Sequence, residues 1–170
     1  NGVVFSPQTF SHRRKLVATL PSLLSIQAMK DLLGKRILIV EDSIDNQTLF
    51  SQYLRHFGAS VDLAADGLEA TVKVRESHFD IILMDIQMPE MDGLETTRQI
   101  RFDPELTGAH RPWIIAVTAH ASNSDREECL AVGMDDYLSK PVHIDRLRAI
   151  LERVPLRVAT VMVKPAAEPM

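Results

Sequence analysis

Two apolar runs in this chain end in acids: Ile37-Leu38-Ile39-Val40 leads into Glu41-Asp42, and Ile81-Ile82-Leu83-Met84 leads into Asp85. Short continuous aliphatic runs read as buried parallel strands, and open α/β sheets place their sites at the carboxyl ends of such strands. Carboxylates gathered there repel one another unless they share protons or a cation neutralises them, so the pattern implies a divalent metal. A third run, Trp113-Ile114-Ile115-Ala116-Val117, ends in Thr118, and a shorter one, Tyr137-Leu138-Ser139, ends in Lys140-Pro141. An acid pair, a lone acid, a hydroxyl and a lysine therefore arrive in chain order, each at a strand exit. An aspartate carboxylate is a competent nucleophile toward phosphorus, and a phosphoryl group in transfer needs its oxygens neutralised. In that chemistry Asp85 attacks while a metal and Lys140, a compact point charge, hold the phosphoryl oxygens.

The intervening segments must position those side chains. Residues 46–57 carry Leu49, Phe50, Tyr53, Leu54 and Phe57 at three- and four-residue spacing, closed by Gly58, which predicts a helix. Val61, Leu63 and Ala65 alternate as a short strand over 60–65, and Asp66-Gly67 then turns into a helix reaching about residue 77. A third helix is expected over 94–100, ended by Pro104, followed by a loop over 102–112. A fourth is expected over 125–132 with Gly133 as its cap, and a fifth over 144–153, stopped before Pro155. Strands alternating with helices make an α/β fold, and right-handed crossovers make it doubly wound: a five-stranded parallel sheet of flavodoxin-like order 2-1-3-4-5 with five helices. Its first and third strands are neighbours, which sets Asp42 beside Asp85.

With Met88-Pro89-Glu90-Met91-Asp92-Gly93 between them, Glu41-Asp42, Asp85, Thr118-Ala119 and Lys140-Pro141 carry a resemblance. Over about residues 34–154 the chain resembles the receiver domain of two-component response regulators. Asp136-Tyr137-Leu138-Ser139-Lys140-Pro141, preceded by Ala131-Val132-Gly133-Met134, resembles most the receivers fused to hybrid histidine kinases. The resemblance implies a phosphorelay module that takes a phosphoryl group from a phosphohistidine onto Asp85. It implies Mg²⁺ as cofactor, held by Asp42, Asp85 and the main-chain oxygen of Gln87, with Glu41 acting mostly through water. It also implies a cis bond before Pro141 that fixes the direction of Lys140. Thr118 would donate its hydroxyl to the phosphoryl group and the Tyr137 ring would turn inward, changing the surface formed by roughly residues 125–153. Gln87 and His120 border the site and are expected to tune the lifetime of the aspartyl phosphate. The implied partners are a histidine kinase, in cis or in trans, and a histidine phosphotransfer protein met through the first helix over about residues 45–54; a homodimer is compatible. The implied location is cytoplasmic, including the cytoplasmic part of a membrane-bound sensor kinase.

Other readings fit parts of the pattern. A free-standing response regulator would act through a partner, and no DNA-binding pattern follows Pro155. An aspartate-nucleophile phosphatase of the haloacid dehalogenase type also sets Asp, Thr and Lys on parallel strands, but it wants a second Asp two residues after the nucleophile, where Gln87 stands. A pseudo-receiver is disfavoured because every site residue is present.

Composition bounds these readings. The 170 residues are 45% hydrophobic and 25% charged with a formal net charge of -4, as expected of one soluble domain with added segments. No apolar stretch approaches the roughly 20 residues of a membrane helix, so no membrane contact is expected. Cys129 is the only cysteine, which excludes an internal disulfide and favours a reducing compartment. The acidic balance argues against nucleic acid as a direct partner. His12, His56, His78, His110, His120 and His143 are scattered without metal-ligand spacing, and Met84, Met88, Met91 and Met134 read as packing residues. Residues 1–33 form a linker or arm with an amphipathic helix expected after Pro21, and His12-Arg13-Arg14-Lys15 reads as a solvated face. The receiver-like segment is 34–154, and the tail 155–170 reads as weakly structured with a short strand at most over 158–163. A first residue of Asn1 suggests a piece of something longer.

Overall fold

The computed structural model describes residues 32–119 and 122–155. Strands β1 (Arg36–Val40), β2 (Ser60–Ala64), β3 (Ile81–Asp85), β4 (Trp113–Thr118) and β5 (Asp136–Ser139) pair in parallel in the order β2-β1-β3-β4-β5. Helices α1 (Ile44–His56), α2 (Gly67–Glu76), α3 (Gly93–Phe102), α4 (Asn123–Ala131) and α5 (Ile144–Leu151) follow them in turn. The doubly wound α/β architecture expected from the alternation is present, strand order included.

The central strands are unbroken aliphatic runs because helices cover both faces of the sheet. Successive side chains point to opposite faces, so each strand feeds two cores. Ile37, Ile39, Ile81, Leu83, Ile115 and Val117 pack with Phe50 and Leu54 of α1 and Leu147 and Ile150 of α5. Leu38, Val40, Ile82, Met84, Ile114 and Ala116 pack with Ala70, Val74, Ile100 and Cys129 of α2, α3 and α4. Burying one such aliphatic side chain stabilises the fold by about 1.5–3 kcal/mol, and a one-residue slip would turn every one of them to the wrong face. The apolar pattern thereby fixes the register: Val40 lies opposite Met84, Asp85 opposite Val117, and Thr118 opposite Ser139. All the chemically interesting strand exits are brought to one edge.

Several element ends differ from the expected ones, because a capping hydrogen bond decides them rather than the apolar pattern. Helix α1 starts at Ile44, two residues early, where Ser43 accepts the Asn46 N–H. Helix α4 starts at Asn123 rather than residue 125, where Ser122 and Asp125 form a reciprocal capping box. Helix α3 begins at Gly93 behind Asp92, whose side chain accepts the Glu95 N–H, and runs to Phe102. Helix α5 ends at Leu151, and β2 ends at Ala64. The loop after α3 contains a short 3₁₀ turn, Gly108–His110. Leu49, counted among the apolar positions of α1, is 37% exposed.

The opposite edge of the sheet is held by two acids absent from the reading of the sequence. Asp80, before β3, pairs with Lys35 at 3.2 Å and accepts the Arg36 N–H at 2.9 Å. Asp135, before β5, accepts from Arg101 at 2.7 Å, Arg111 at 3.1 Å and the Ile114 N–H at 2.8 Å. Arg101 also donates to the carbonyls of Gly133 and Pro112, at 2.7 and 2.9 Å, tying α3 to the strands beyond it. Leu32 packs into the core beside α1 and α5. The helix expected after Pro21, the basic run at 12–15 and the strand at 158–163 lie outside the described residues.

Candidate functional site

Asp85 is the last residue of β3, and its side chain is 5% exposed. Beyond it the chain folds back sharply: the Ile86 N–H bonds the Val117 carbonyl at 3.1 Å and the Gly93 N–H bonds the Ile86 carbonyl at 3.0 Å. A Cβ at Gly93 would lie 2.2 Å from the Asp85 carbonyl oxygen, so only glycine lets α3 begin against the strand that carries the acid. Lys140 leaves β5 with its N–H on the Thr118 carbonyl at 2.7 Å, and the Lys140-Pro141 peptide is cis. Its ammonium donates to Asp85 Oδ2 at 2.7 Å and lies 2.9 Å from Glu41 Oε2.

Glu41 and Asp42 follow β1. The Glu41 side chain is 1% exposed, whereas Asp42 is open to solvent. Glu41 Oε1 accepts from the Asn46 amide at 2.9 Å and from the Ser43 N–H at 3.3 Å, and the Gln47 amide reaches the Glu41 carbonyl at 2.7 Å. Carboxylate oxygens of Glu41, Asp42 and Asp85 lie within 4.8 Å of one another, the one such group among the described residues. Two of these carboxylates pair with the single ammonium of Lys140, and the third lies beside them. Glu41 Oε2 is buried and accepts no hydrogen bond of acceptable angle, although the lysine is close enough to pair with it. The ion pair leaves a lone pair of Glu41 Oε2 open to a second positive group. An all-oxygen donor set with one solvent-facing acid fits a hard cation that keeps several waters, and Mg²⁺ is such a cation.

Burial raises the pKa of the Asp85 carboxyl above its ordinary value and the Glu41 charge adds to the effect, while Lys140 and the Gln87 N–H, 3.3 Å from Oδ1, oppose it. Burial works against the Lys140 ammonium, but its hydrogen bond to Asp85 and its pairing with Glu41 outweigh that and raise its pKa. The structure thus brings together Glu41, Asp42, Asp85 and Lys140. Thr118 stands buried at the end of β4, one residue beyond the position paired with Asp85. Tyr137 is half-buried, with the guanidinium of Arg126 from α4 at 5.5 Å and that of Arg146 from α5 at 5.9 Å from its ring centre. The Gln87 side chain is exposed. His120 lies outside the described residues, and His56, His78, His110 and His143 are exposed. Asn46, Gly93, Arg126 and Arg146 were missed as site residues. Asn46 had a signal, since an amide in the first helical turn after a strand-end acid is placed to reach back to it.

A buried acid at a parallel strand exit, a lysine on the second strand away and an acid pair on the neighbouring strand define a class of site, and comparison with known proteins gives its family. The model of the response regulator receiver domain matches residues 37–152. The chain belongs to that family. It is 41% identical, over 64% of its length, to hybrid signal transduction histidine kinase B of Dictyostelium discoideum, of which it spans 6%. It is similar to the receiver domain of sensor histidine kinase PA1611 from Pseudomonas aeruginosa, solved with a magnesium ion coordinated in its active-site cleft. That likeness has a TM-score of 0.64 at 44% identity and covers 71% of this chain and 97% of that one. It is also similar to a co-crystal structure of the Saccharomyces cerevisiae histidine phosphotransfer signalling protein Ypd1 and the receiver domain of its downstream response regulator Ssk1. There the TM-score is 0.68 at 32% identity, over 72% of this chain and 90% of that one.

Proposed function

We propose that this chain is a phosphoacceptor module of a phosphorelay, taking a phosphoryl group from a phosphohistidine onto Asp85. The observation that carries the reading is the buried Asp85 carboxylate with Lys140 at 2.7 Å and two further acids within 4.8 Å. An Asp85 oxygen attacks phosphorus, the new P–O bond forms as the P–N bond breaks, and the electron pair leaves with the imidazole nitrogen, which takes up a proton. Burial and Glu41 make the Asp85 carboxylate more basic, and so a better nucleophile, than a solvated one. Lys140 is placed to follow the charge: once Asp85 is esterified, the ammonium loses a carboxylate partner and gains a phosphoryl oxygen. Asp42, Asp85 and the main-chain oxygen of Gln87 would hold Mg²⁺, with Glu41 acting through water, and the bound ion would supply positive charge to the phosphoryl oxygens.

The output runs through Thr118 and Tyr137. Each guanidinium contact to the Tyr137 ring is worth roughly 0.5–1 kcal/mol at a partly exposed site, whereas a hydrogen bond from Thr118 to a charged phosphoryl group is worth about 1.5–3 kcal/mol. The new bond offsets the loss of both contacts, so modification of Asp85 suffices to turn the ring inward and loosen α4 from α5. Gln87, two residues beyond Asp85 and exposed, is assigned the tuning of hydrolysis, together with His120.

The donor and acceptor are a histidine kinase and a histidine phosphotransfer protein. The exposed apolar Ile44 and Leu49 of α1, beside the acid pair, support docking on that helix. The likeness to receivers of hybrid kinases supports an origin within such a kinase and a cytoplasmic setting. No helix among the described residues is long and apolar enough to cross a membrane. Intact mass after incubation with acetyl phosphate and Mg²⁺ tests the reading: one phosphoryl addition, lost with chelator, is expected, and no addition under any condition would overturn it.

A further inference from the structure

We infer that Asn46 is a positioning residue for the divalent cation: by holding Glu41 Oε1, it aims Glu41 Oε2 into the carboxylate cluster. The inference rests on the receiver reading and adds to it a residue outside the acid, lysine and hydroxyl set.

Glu41 is almost completely buried, so its oxygens must find protein donors rather than bulk water. For Oε1 those donors are the Asn46 amide at 2.9 Å and the Ser43 N–H at 3.3 Å, of which the first is the better bond. Oε2 accepts no hydrogen bond and faces Lys140 and Asp85. A glutamate has one more rotatable bond than an aspartate, hence more ways to miss a site. Asn46 removes that freedom from a rigid support: it sits in the first turn of α1 with its N–H on the Ser43 cap. Gln47, next in the chain, bonds the Glu41 carbonyl at 2.7 Å, so the start of α1 grips both the backbone and the side chain of the acid. The residue type is suited to the task. A lysine there would neutralise the cluster and compete with the cation, and a carboxylate would repel Glu41, whereas a neutral amide orients it without changing the charge.

The test is Mg²⁺ titration by calorimetry of the full chain, with Asn46→Ala, Asn46→Leu, Glu41→Ala, the Asn46→Ala/Glu41→Ala pair, and Thr48→Ala as a control in the same helix. Loss of a hydrogen bond that orients a carboxylate of a metal site typically weakens metal binding 10–100-fold, and a weakening toward the lower end of that range is expected in both Asn46 variants, since Glu41 acts through water. The effect of Asn46→Ala should vanish in the Glu41→Ala background, since it acts through that acid. Saturating Mg²⁺ should return the rate of acetyl phosphate labelling of Asn46→Leu to the wild-type rate, which it would not do for a misfolded protein. Unchanged Mg²⁺ affinity in the single variants, or an Asn46 effect that persists without Glu41, would overturn the inference while leaving the receiver reading intact. A wild-type chain that neither binds Mg²⁺ nor takes a phosphoryl group would overturn both.

Discussion

The two edges of the sheet each carry acids largely shielded from solvent, and they treat them in opposite ways. At the amino-terminal edge Asp135 meets two arginines and a backbone N–H, all within 3.1 Å, and Arg101 also donates to two carbonyls. At the carboxyl edge Glu41 and Asp85 share one lysine with the Asp42 carboxylate close by, and Glu41 Oε2 accepts no hydrogen bond. A closed network holds elements together and binds nothing further, whereas an open one leaves electrostatic free energy to be recovered by a ligand. The same residue type is structural below and chemical above, and its partners decide which.

Removing charge from the open edge should have the largest consequence. Asp85→Asn is expected to abolish phosphoryl addition completely by intact mass, yet to raise the melting temperature in metal-free neutral buffer. The sign follows from the raised pKa: the native state binds the Asp85 proton more tightly than the unfolded chain does. Its contribution to stability is therefore fully present below the ordinary carboxylate pKa of about 3.9 and is lost as pH rises through the native value. A melting temperature that falls in the variant at neutral pH would contradict this.

The closed edge should behave in reverse. Asp135→Ala strands two guanidinium groups, Arg101 nearly buried, and is expected to cost roughly 3 kcal/mol in urea unfolding while leaving the Mg²⁺ affinity of the folded protein unchanged. Weakened Mg²⁺ binding in that variant would show the two edges to be coupled. Next, Mg²⁺ at a hundredfold excess over its dissociation constant should stabilise the wild type by about 2.7 kcal/mol. Asp42→Ala should remove most of that increment, and the Asp135 variant should retain it in full. The smallest effect is expected between the edges, at Tyr137. Arg126→Ala and Arg146→Ala should each change unfolding free energy by about 0.5–1 kcal/mol or less, while slightly tightening a phosphoryl mimic such as beryllofluoride, which would no longer compete with the outward ring.

What the sequence disclosed follows the same division. The central strands β1, β3 and β4 and their terminal acids and hydroxyl were legible because a strand buried on both faces must be continuously apolar, and a polar residue at its end is then conspicuous. Glu41, Asp42, Asp85 and Lys140 were named from that contrast, and the structure gathers them. The starts of α1 and α4 were not legible, because a single serine hydroxyl sets them and serine is common in loops. Asp80 and Asp135 look like ordinary turn acids in one dimension. Only the fold shows that each reaches across to bond the backbone of another strand. Leu49 fitted the helical pattern and is nonetheless partly exposed, since periodicity marks a stripe without fixing its edges.

The outward position of Asp42 and Gln87 at the rim of the Asp85 cleft carries a cost for fidelity. A phosphoryl acceptor bordered by exposed side chains is open to small acyl phosphate and phosphoramidate donors as well as to a phosphohistidine, so the reacting groups themselves do not tell one donor from another. With the donor docked on α1 as proposed, insulation from parallel pathways would fall on side chains that take no part in the chemistry, the exposed Ile44 and Leu49 foremost, and a few substitutions on that helix would rewire the module.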